Sequence, residues 1–366
     1  MNIFDQASAG TPALKSVNGR TLAANFGDVS AEYSALREGA VLYDCGSYGL
    51  FSVRGAEAES FLETLLTKDV AFMNIGALSE GYFLNDEGEI VGIVFLAKRE
   101  SDFLIITFWE FAEAVNAWMC AQSEGYRVEI EEISETFSLL SVEGCRSWKL
   151  VKEILNAEIE NIGLQTFQET PFLGKEITVM RIGRTSEYGY MLLSDEESGK
   201  ALYAAVLNYA KTAAFPVREC GLDCLELAMC EIHQPNFLRE TKEFGDLFEL
   251  NAQWHIRFDR ENYHGFEAIR RIAAQSPEKS SVAFLAETKT AIPAKTPVLN
   301  EDGEVIGQVI YALFSYRMDT QIGLAMLQAP YGQSGLDLRL ASEEGTAIHT
   351  VSSPIVRPTS WDLKME

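Results

Sequence analysis

The sequence predicts an α+β protein that is divided into three domains. Its 366 residues exceed the usual size of one domain, and 47% of them are hydrophobic, which is enough to fill buried cores. Between residues 51 and 136, helical segments alternate with strand-like hairpins. From Val282 to Pro358, short strand-like runs follow one another without a convincing long helix. These two patterns predict different architectures for the middle and the end of the chain.

The middle region is predicted to be an antiparallel sheet with helices on one face. Phe61, Leu62 and Leu65 recur at helical spacing, which predicts an amphipathic helix over 56–67. The stretch LSEGYFLNDEGEIVGIVFLAKRESDFLIITF predicts three strands, with NDEGE and KRESD as the hairpin turns. A second helix over 109–123 and the strand-like YRVEIEEIS complete the unit.

The two flanking regions have patterns of their own. GKEITVMRIGRTSEYGYMLLSD predicts two strands around a glycine-containing turn, and helices are predicted over 196–211 and 221–232. The segment AQSPEKSS then breaks the pattern near residues 274–282. The runs after it, among them VAFLAE, TPVLNEDGEVIGQVIYA and QIGLAML, predict a small β-barrel.

Charge and composition exclude several classes of function. The net charge of −24 repels phosphate backbones and anionic lipids, so neither nucleic acid nor membrane is an expected partner. The chain lacks a run long enough to span a membrane and is expected to be cytoplasmic. The six cysteines and four histidines show no metal-ligand spacing, so no metal site is expected.

The segment GRTSEYGYML, residues 183–192, resembles the G-Y-T-G-E-x-G-Y-E-I signature of the glycine-cleavage T-protein (aminomethyltransferase) family. REGAVLYDCGSYGLFSVRG and FLETLLTKDV resemble two further family segments, in the same order along the chain. Leu84, Asn85 and Gly88 keep the family pattern L-N-x-x-G, and Asp223 and Leu225 keep part of R-D-x-L-R-L-E. The resemblance spans nearly the whole chain. The family that it indicates includes folate-dependent demethylases.

The resemblance implies a T-protein-like ring of three domains with tetrahydrofolate in its centre. Residues 1–50 and 137–273 would form a discontinuous folate-binding domain, 51–136 an inserted ferredoxin-like domain, and 274–366 the C-terminal β-barrel. Glu187 is the expected pterin ligand, because a carboxylate suits the amidine-like N–H groups of the ring. The further expected cofactor-binding residues are Tyr82, Trp254 and Arg357.

The sequence departs from the family at the inferred pocket. Gly92 stands where the family carries an aspartate beside the reacting folate nitrogen, and Glu80 and Gly81 replace a Tyr-Thr pair. Glu226 replaces the second arginine of R-D-x-L-R-L-E. Loss of that aspartate removes a partner for an ammonium group, and aromatic residues near the pocket suit a methylated donor instead. The expected reaction is a demethylation that gives 5-methyltetrahydrofolate.

Several assignments stay open at this point. The candidate catalytic residues are Asp86, Tyr188 and His233, and Glu80 is a second possible replacement carboxylate. The expected partner is a small-molecule methyl or aminomethyl donor, and the protein is expected to be a monomer or homodimer. One alternative is a catalytically inactive folate-binding regulator or assembly protein, and another is a pocket that has been rebuilt for a different ligand.

Overall fold

The computed structural model describes residues 11–17, 20–241, 243–342 and 345–365. The chain divides into two compact units. The first contains Met1–Gly221, His255–Arg270 and Thr359–Glu366, and the second contains Leu222–Trp254 and Arg271–Pro358. The division into three domains stays a prediction, and the first ten residues of the predicted first domain lie outside the described residues.

The described residues form seven α-helices. They are α1 (Val29–Glu38), α2 (Ala58–Leu65), α3 (Ala112–Gln122), α4 (Ser147–Leu155), α5 (Glu196–Ala210), α6 (Leu222–Ile232) and α7 (Phe266–Ala273). Short 3₁₀ turns cover Ile159–Asn161, Gln253–His255 and Thr359–Trp361. The four helices predicted over 56–67, 109–123, 196–211 and 221–232 are confirmed within three residues at each end.

The strands include all the predicted hairpins. They are β1 (Ala13–Val17), β2 (Arg20–Asn25), β3 (Ala40–Asp44), β4 (Gly49–Arg54), β5 (Leu78–Leu84), β6 (Ile90–Lys98), β7 (Phe103–Thr107), β8 (Glu129–Glu132), β9 (Phe137–Glu143), β10 (Phe167–Phe172), β11 (Lys175–Met180), β12 (Gly189–Asp195), β13 (Val217–Glu219), β14 (Lys279–Ala286), β15 (Pro297–Leu299), β16 (Val305–Ser315), β17 (Thr320–Gln328), β18 (Asp337–Leu340) and β19 (Ala347–Val351).

A six-stranded sheet in the first unit has the order β10-β11-β12-β9-β3-β13. Its pairs are antiparallel except for the parallel pair of β13 and β3. Helices α4 and α5 pack on one face, where Tyr190 and Leu192 of β12 join the buried core. Because side chains alternate along a strand, Met191 lies on the opposite face.

The second sheet of the first unit has the order β5-β6-β7-β4-β8 and is antiparallel. Phe83, Val94 and Leu96 pack with α2 and α3 in one core, so both helices cover the same face. The sequence prediction of helices on one face of an antiparallel sheet is therefore confirmed. Strand alternation places Glu80, Tyr82 and their cross-strand partners on the other face.

The second unit contains a closed barrel with the strand order β14-β17-β16-β15-β18-β19. Its interior is lined by aliphatic side chains and Phe284. The predicted C-terminal β-barrel is confirmed, and its first strand begins at Lys279, within the predicted transition. No helix of the described residues is long and apolar enough to cross a membrane.

The structure corrects the environment that was expected for Gly92. This residue pairs with Phe83, and a β-carbon built on it would collide with Cγ2 of Val115 in α3. Position 92 therefore faces the helix-packed core, and its neighbour Ile93, which pairs with Tyr82, faces the opposite side. The family's aspartate cannot be restored here by a simple replacement of Gly92.

We predict that Gly92→Ala destabilises the protein by about 1–3 kcal/mol, because overpacking a filled core forces its neighbours to shift. Urea unfolding of the variant measures this loss. Gly125→Ala is a surface comparison, because an added β-carbon there meets nothing within 4 Å and only its positive φ adds strain. Unchanged stability of Gly92→Ala would contradict the packing described for α3.

Candidate functional site

Six segments of the first unit bring a cluster of ionisable and aromatic side chains together. We call it the inner cluster and define it by Lys68, Glu80, Tyr82, Arg184 and His255, with an aromatic wall of Tyr48, Phe108 and Trp109. Strand β5 supplies Glu80 and Tyr82, and the end of β7 leads into the wall. Arg184 comes from the loop between β11 and β12.

His255 is fixed by its backbone and by its ring. Its carbonyl oxygen accepts a hydrogen bond of 2.9 Å from Oγ1 of Thr67, and that same oxygen atom of Thr67 accepts from the backbone N–H of Tyr82 at 2.9 Å. The imidazole meets the ring of Tyr82 edge to face at 5.1 Å. Burial, together with the positive charge of Lys68, lowers the pKa of His255 to about 3, so the ring is neutral at pH 7.

Glu80 is the carboxyl group at the centre of the inner cluster. Its side chain is 13% exposed, and Oε1 lies 3.4 Å from Nε2 of His255. Burial raises the pKa of Glu80 to about 7, against the opposing effect of Arg184 and Lys68. A group that is half ionised near neutral pH can both give and accept a proton, which is the property required of a general acid or base.

The aromatic wall stands beside these ionisable groups. The guanidinium carbon of Arg184 lies 3.7 Å from the ring centre of Phe108, a cation–π contact. Tyr48 packs edge to face on Phe108 at 5.0 Å and lies 6.2 Å from Trp109. The buried indole Nε1 of Trp109 has no acceptor among the described residues, which leaves a hydrogen-bond donor for a ligand.

Glu143 holds the loop that carries Arg184. Its Oε2 accepts from the backbone N–H groups of Arg184 and Thr185, each at 3.0 Å, and from Oγ1 of Thr185 at 2.7 Å. A β-carbon on Gly189 would lie 2.7 Å from Cα of Gly183, so the loop closes tightly because both positions are glycine. The matching residues of the family signature therefore build the loop.

The carboxylate of Glu187, the predicted pterin ligand, is not open to a ligand in this structure. Oε1 accepts from Nη1 of Arg37 at 2.6 Å and from the backbone N–H of Thr359 at 2.8 Å, and Oε2 accepts from the backbone N–H of Ser360 at 2.8 Å. The side chain has no exposed surface. Glu187 thus anchors the C-terminal segment of the first unit, and its binding to a pterin stays a prediction.

Tyr188, a predicted catalytic residue, also contacts the C-terminal segment. Its hydroxyl donates to the carbonyl oxygen of Leu363, and its ring packs against the core beneath the six-stranded sheet. The hydroxyl is already used in this contact, so the structure places Tyr188 with Glu187 and outside the inner cluster.

The other predicted site residues are spread over both units. Asp86 is 74% exposed on the β5–β6 turn, where it pairs with Nδ1 of His264 at 2.9 Å. His233, Trp254 and Arg357 belong to the second unit. Burial lowers the pKa of His233 to about 4, so it is neutral at pH 7, and Trp254 is 49% exposed. Of the predicted residues, the inner cluster contains Tyr82 and the alternative carboxylate Glu80.

Glu226, which replaces an arginine of the family pattern, forms an ion pair with Arg239. Both of its carboxylate oxygens accept from the guanidinium of Arg239, at 3.1 and 2.9 Å. A bidentate pair of this kind is among the stronger ionic contacts in proteins. The negative charge at position 226 is therefore compensated within the second unit.

Sequence reasoning missed Lys68, Arg184 and His255 as site residues. Arg184 stands inside the matched signature where the family has tyrosine, which was a usable signal. His255 directly follows Trp254, which the sequence predicts as a cofactor-binding residue. Among the described residues, no group of three or more His, Cys, Asp or Glu side chains could hold a metal ion.

The fold has a solved counterpart. The crystal structure of the glycine cleavage system aminomethyltransferase T from Bartonella henselae matches with a TM-score of 0.86 over 97% of this chain and 96% of that chain, at 18% identity. The chain thus has the α+β fold of an aminomethyltransferase, and the fold class predicted from the sequence is confirmed.

The comparison of sequences defines the family. The model of the GCVT N-terminal domain matches residues 5–260, and the chain belongs to this family. The aminomethyltransferase of Chlorobaculum tepidum is 28% identical over 312 residues, 84% of each chain. That of Alkaliphilus oremlandii is 24% identical over 347 residues, 94% of this chain and 93% of the relative. Proteins of this family use tetrahydrofolate in one-carbon transfer.

We predict that Arg37→Met costs roughly 3–5 kcal/mol of stability, because it leaves the carboxylate of Glu187 buried without its cation. Adding Glu187→Gln should recover part of that loss. Urea unfolding of both single variants and the double variant measures the coupling. Additive losses would show that the pair does not act as a unit, and a loss of tetrahydrofolate affinity in folded Glu187→Gln would restore its predicted role in binding.

We predict that Glu80→Gln stabilises the protein at pH 8 and has little effect at pH 4. The pKa of Glu80 is raised to about 7 in the folded state, so between its unfolded value and pH 7 the folded state holds a proton that the unfolded state has lost. Stability therefore falls as pH rises through this window, by up to roughly 3 kcal/mol.

The measurement is the difference in unfolding free energy between wild type and Glu80→Gln at pH 4 to 8. The pKa values of His255 and His233 are lowered, so both residues also change the unfolding free energy at low pH. Taking the difference between the two proteins removes this shared contribution. A difference that does not change with pH would show that Glu80 titrates normally.

Proposed function

We propose that this protein is a tetrahydrofolate-dependent one-carbon transferase that takes a methyl group from a small-molecule donor and gives 5-methyltetrahydrofolate. Membership of the family supports the transfer chemistry. The inner cluster supports the choice of a methyl donor, and the observation that carries this choice is the aromatic wall beside Arg184, near a carboxyl group whose pKa is raised by burial.

An aminomethyl donor brings an ammonium group, which is best held by a carboxylate that stays ionised. Glu80 is ionised by about half at pH 7, and position 92 faces the helix-packed core. Phe108 and Tyr48 instead offer buried ring surfaces, which suit an apolar or aromatic methyl donor. The inner cluster therefore favours a demethylation over the transfer of an aminomethyl group.

The inner cluster also fits tetrahydrofolate. The unused indole N–H of Trp109 is a buried donor that can meet an oxygen of the pterin, and the ring surfaces of the wall suit its flat ring. Tyr82 remains a proposed contact, as the sequence predicted. When bound, tetrahydrofolate supplies the nitrogen that accepts the carbon, and the residues of this chain exclude water and orient the donor.

We predict that Trp109→Phe weakens binding of tetrahydrofolate about five- to tenfold, the loss expected for one net hydrogen bond of about 1 kcal/mol. Anaerobic calorimetric titration measures the affinity. Trp118→Phe is the matched control, because its buried indole nitrogen also lacks a partner among the described residues but lies outside the inner cluster. Equal weakening in both variants would contradict the proposed position of the pterin.

The product decides between the possible activities. The wild type is incubated anaerobically with tetrahydrofolate and methylated donors of three kinds, aryl methyl ethers, methylamines and sulfonium compounds, and 5-methyltetrahydrofolate is measured by mass spectrometry. Its formation supports the proposal. Binding of tetrahydrofolate without any transfer would favour an inactive folate-binding regulator, and absence of binding would show that the pocket serves another ligand.

A further inference from the structure

We infer that Glu80 is the proton-transfer residue of the site and that it protonates the leaving heteroatom of the methyl donor while His255 holds it in position. This inference rests on the proposed function and adds a catalytic residue to it. It is carried by the position of the Glu80 carboxyl group, which lies opposite a neutral imidazole, on a residue that pairs across the sheet with Phe95, whose ring meets that of Phe108 at 5.9 Å.

The carboxyl group of Glu80 is free for a ligand. Nε2 of His255 lies 3.4 Å from Oε1 of Glu80, and within the described residues no side-chain hydrogen bond uses the carboxyl oxygens. Two other buried carboxyl groups of the first unit are already used, since Glu143 binds the loop of Arg184 and Glu187 binds Arg37. Glu80 keeps hydrogen-bonding capacity for a substrate.

The Tyr48 hydroxyl, the Cys45 thiol and the His255 imidazole cannot take over this role. Burial raises the pKa values of the Tyr48 hydroxyl and the Cys45 thiol well above their ordinary ranges, so both stay protonated and are weak acids. His255 is neutral at pH 7. Arg184 and Lys68 face Glu80 as cations, with Asp69 and Arg257 next to Lys68. The two cations keep the pKa of Glu80 from rising further, so its proton can be released.

His255 is a positioning residue. Its backbone carbonyl is tied to Thr67, which also binds the backbone of Tyr82 two residues from Glu80. The imidazole is thus fixed relative to strand β5, and its Nε2 faces Oε1 of Glu80. The ring also hydrogen-bonds the backbone of Glu80, which holds the strand that carries the carboxyl group and leaves that group able to titrate.

The proposed step balances. In a donor R–O–CH₃, the bond between oxygen and methyl carbon breaks and its electron pair stays on the oxygen. The oxygen takes the proton of Glu80, and the carbon bonds to N5 of tetrahydrofolate, from which one proton is released and returns to the carboxylate. The sum is R–O–CH₃ plus tetrahydrofolate giving R–OH plus 5-methyltetrahydrofolate, with no oxidant or reductant.

The decisive variants are Glu80→Gln and Glu240→Gln. Glu240 is the matched control, because burial raises its pKa to about 8 and it belongs to the second unit, whereas the inner cluster belongs to the first. We expect Glu80→Gln to slow demethylation of 4-methoxybenzoate by 100- to 10,000-fold, the usual contribution of a general acid. Transfer from trimethylsulfonium, whose leaving group departs neutral, should change less than threefold. Glu240→Gln should leave both rates unchanged.

A second readout does not depend on turnover. Infrared spectra should show a carboxyl band that titrates near pH 7, disappears in Glu80→Gln, persists in Glu240→Gln and shifts when 4-hydroxybenzoate and tetrahydrofolate are added. Absence of a shift, or an equal loss of both transfer rates in Glu80→Gln, would overturn the role of Glu80. Failure of the wild type to bind tetrahydrofolate would instead overturn the proposed function, and the titration of the band would still report on Glu80.

Discussion

The site depends on the alternation of side chains along β5 and β6. Because successive residues point to opposite faces, Glu80 and Tyr82 face the inner cluster while Gly81 and Phe83 face the helices. A shift by one residue would exchange the two sets and bury a carboxylate against α2 and α3. The register of this hairpin therefore decides which chemistry reaches the site.

The alternation of side chains along β5 and β6 also explains how Gly92 and Glu80, which differ from the family pattern, are placed. Glycine at position 92 appears in the sequence as a missing catalytic carboxylate, yet the structure gives it a packing role against Val115. The carboxyl group that does face the site comes from Glu80, which lies on the same face of strand β5 as Tyr82. Position 92 therefore contributes nothing to the inner cluster, whose central carboxyl group is that of Glu80.

Local sequence patterns predicted the helices and strands well. They did not predict which side chains meet in the folded protein. Helices α2, α3 and α5 follow from apolar spacing, and the barrel follows from its short strands and turns, because these patterns lie within a few residues. The inner cluster combines side chains from segments separated by more than a hundred residues. The signature match predicts Glu187 as a pterin ligand, and it gave no sign of the partners of this side chain, Arg37 and the amides of Thr359 and Ser360, because they lie far away in sequence.

The inner cluster contrasts with the charge of the whole molecule. A protein of net charge −24 attracts cations to its surface, but Arg184 and Lys68 face a carboxyl group that is half neutral. Burying these groups costs stability that an apolar core would not lose. Such a cost is expected where function requires it, since a titrating carboxyl group can be maintained near pH 7 by burial and cations acting in opposite directions. The balance at Glu80 is therefore the feature of the site that stability alone does not explain.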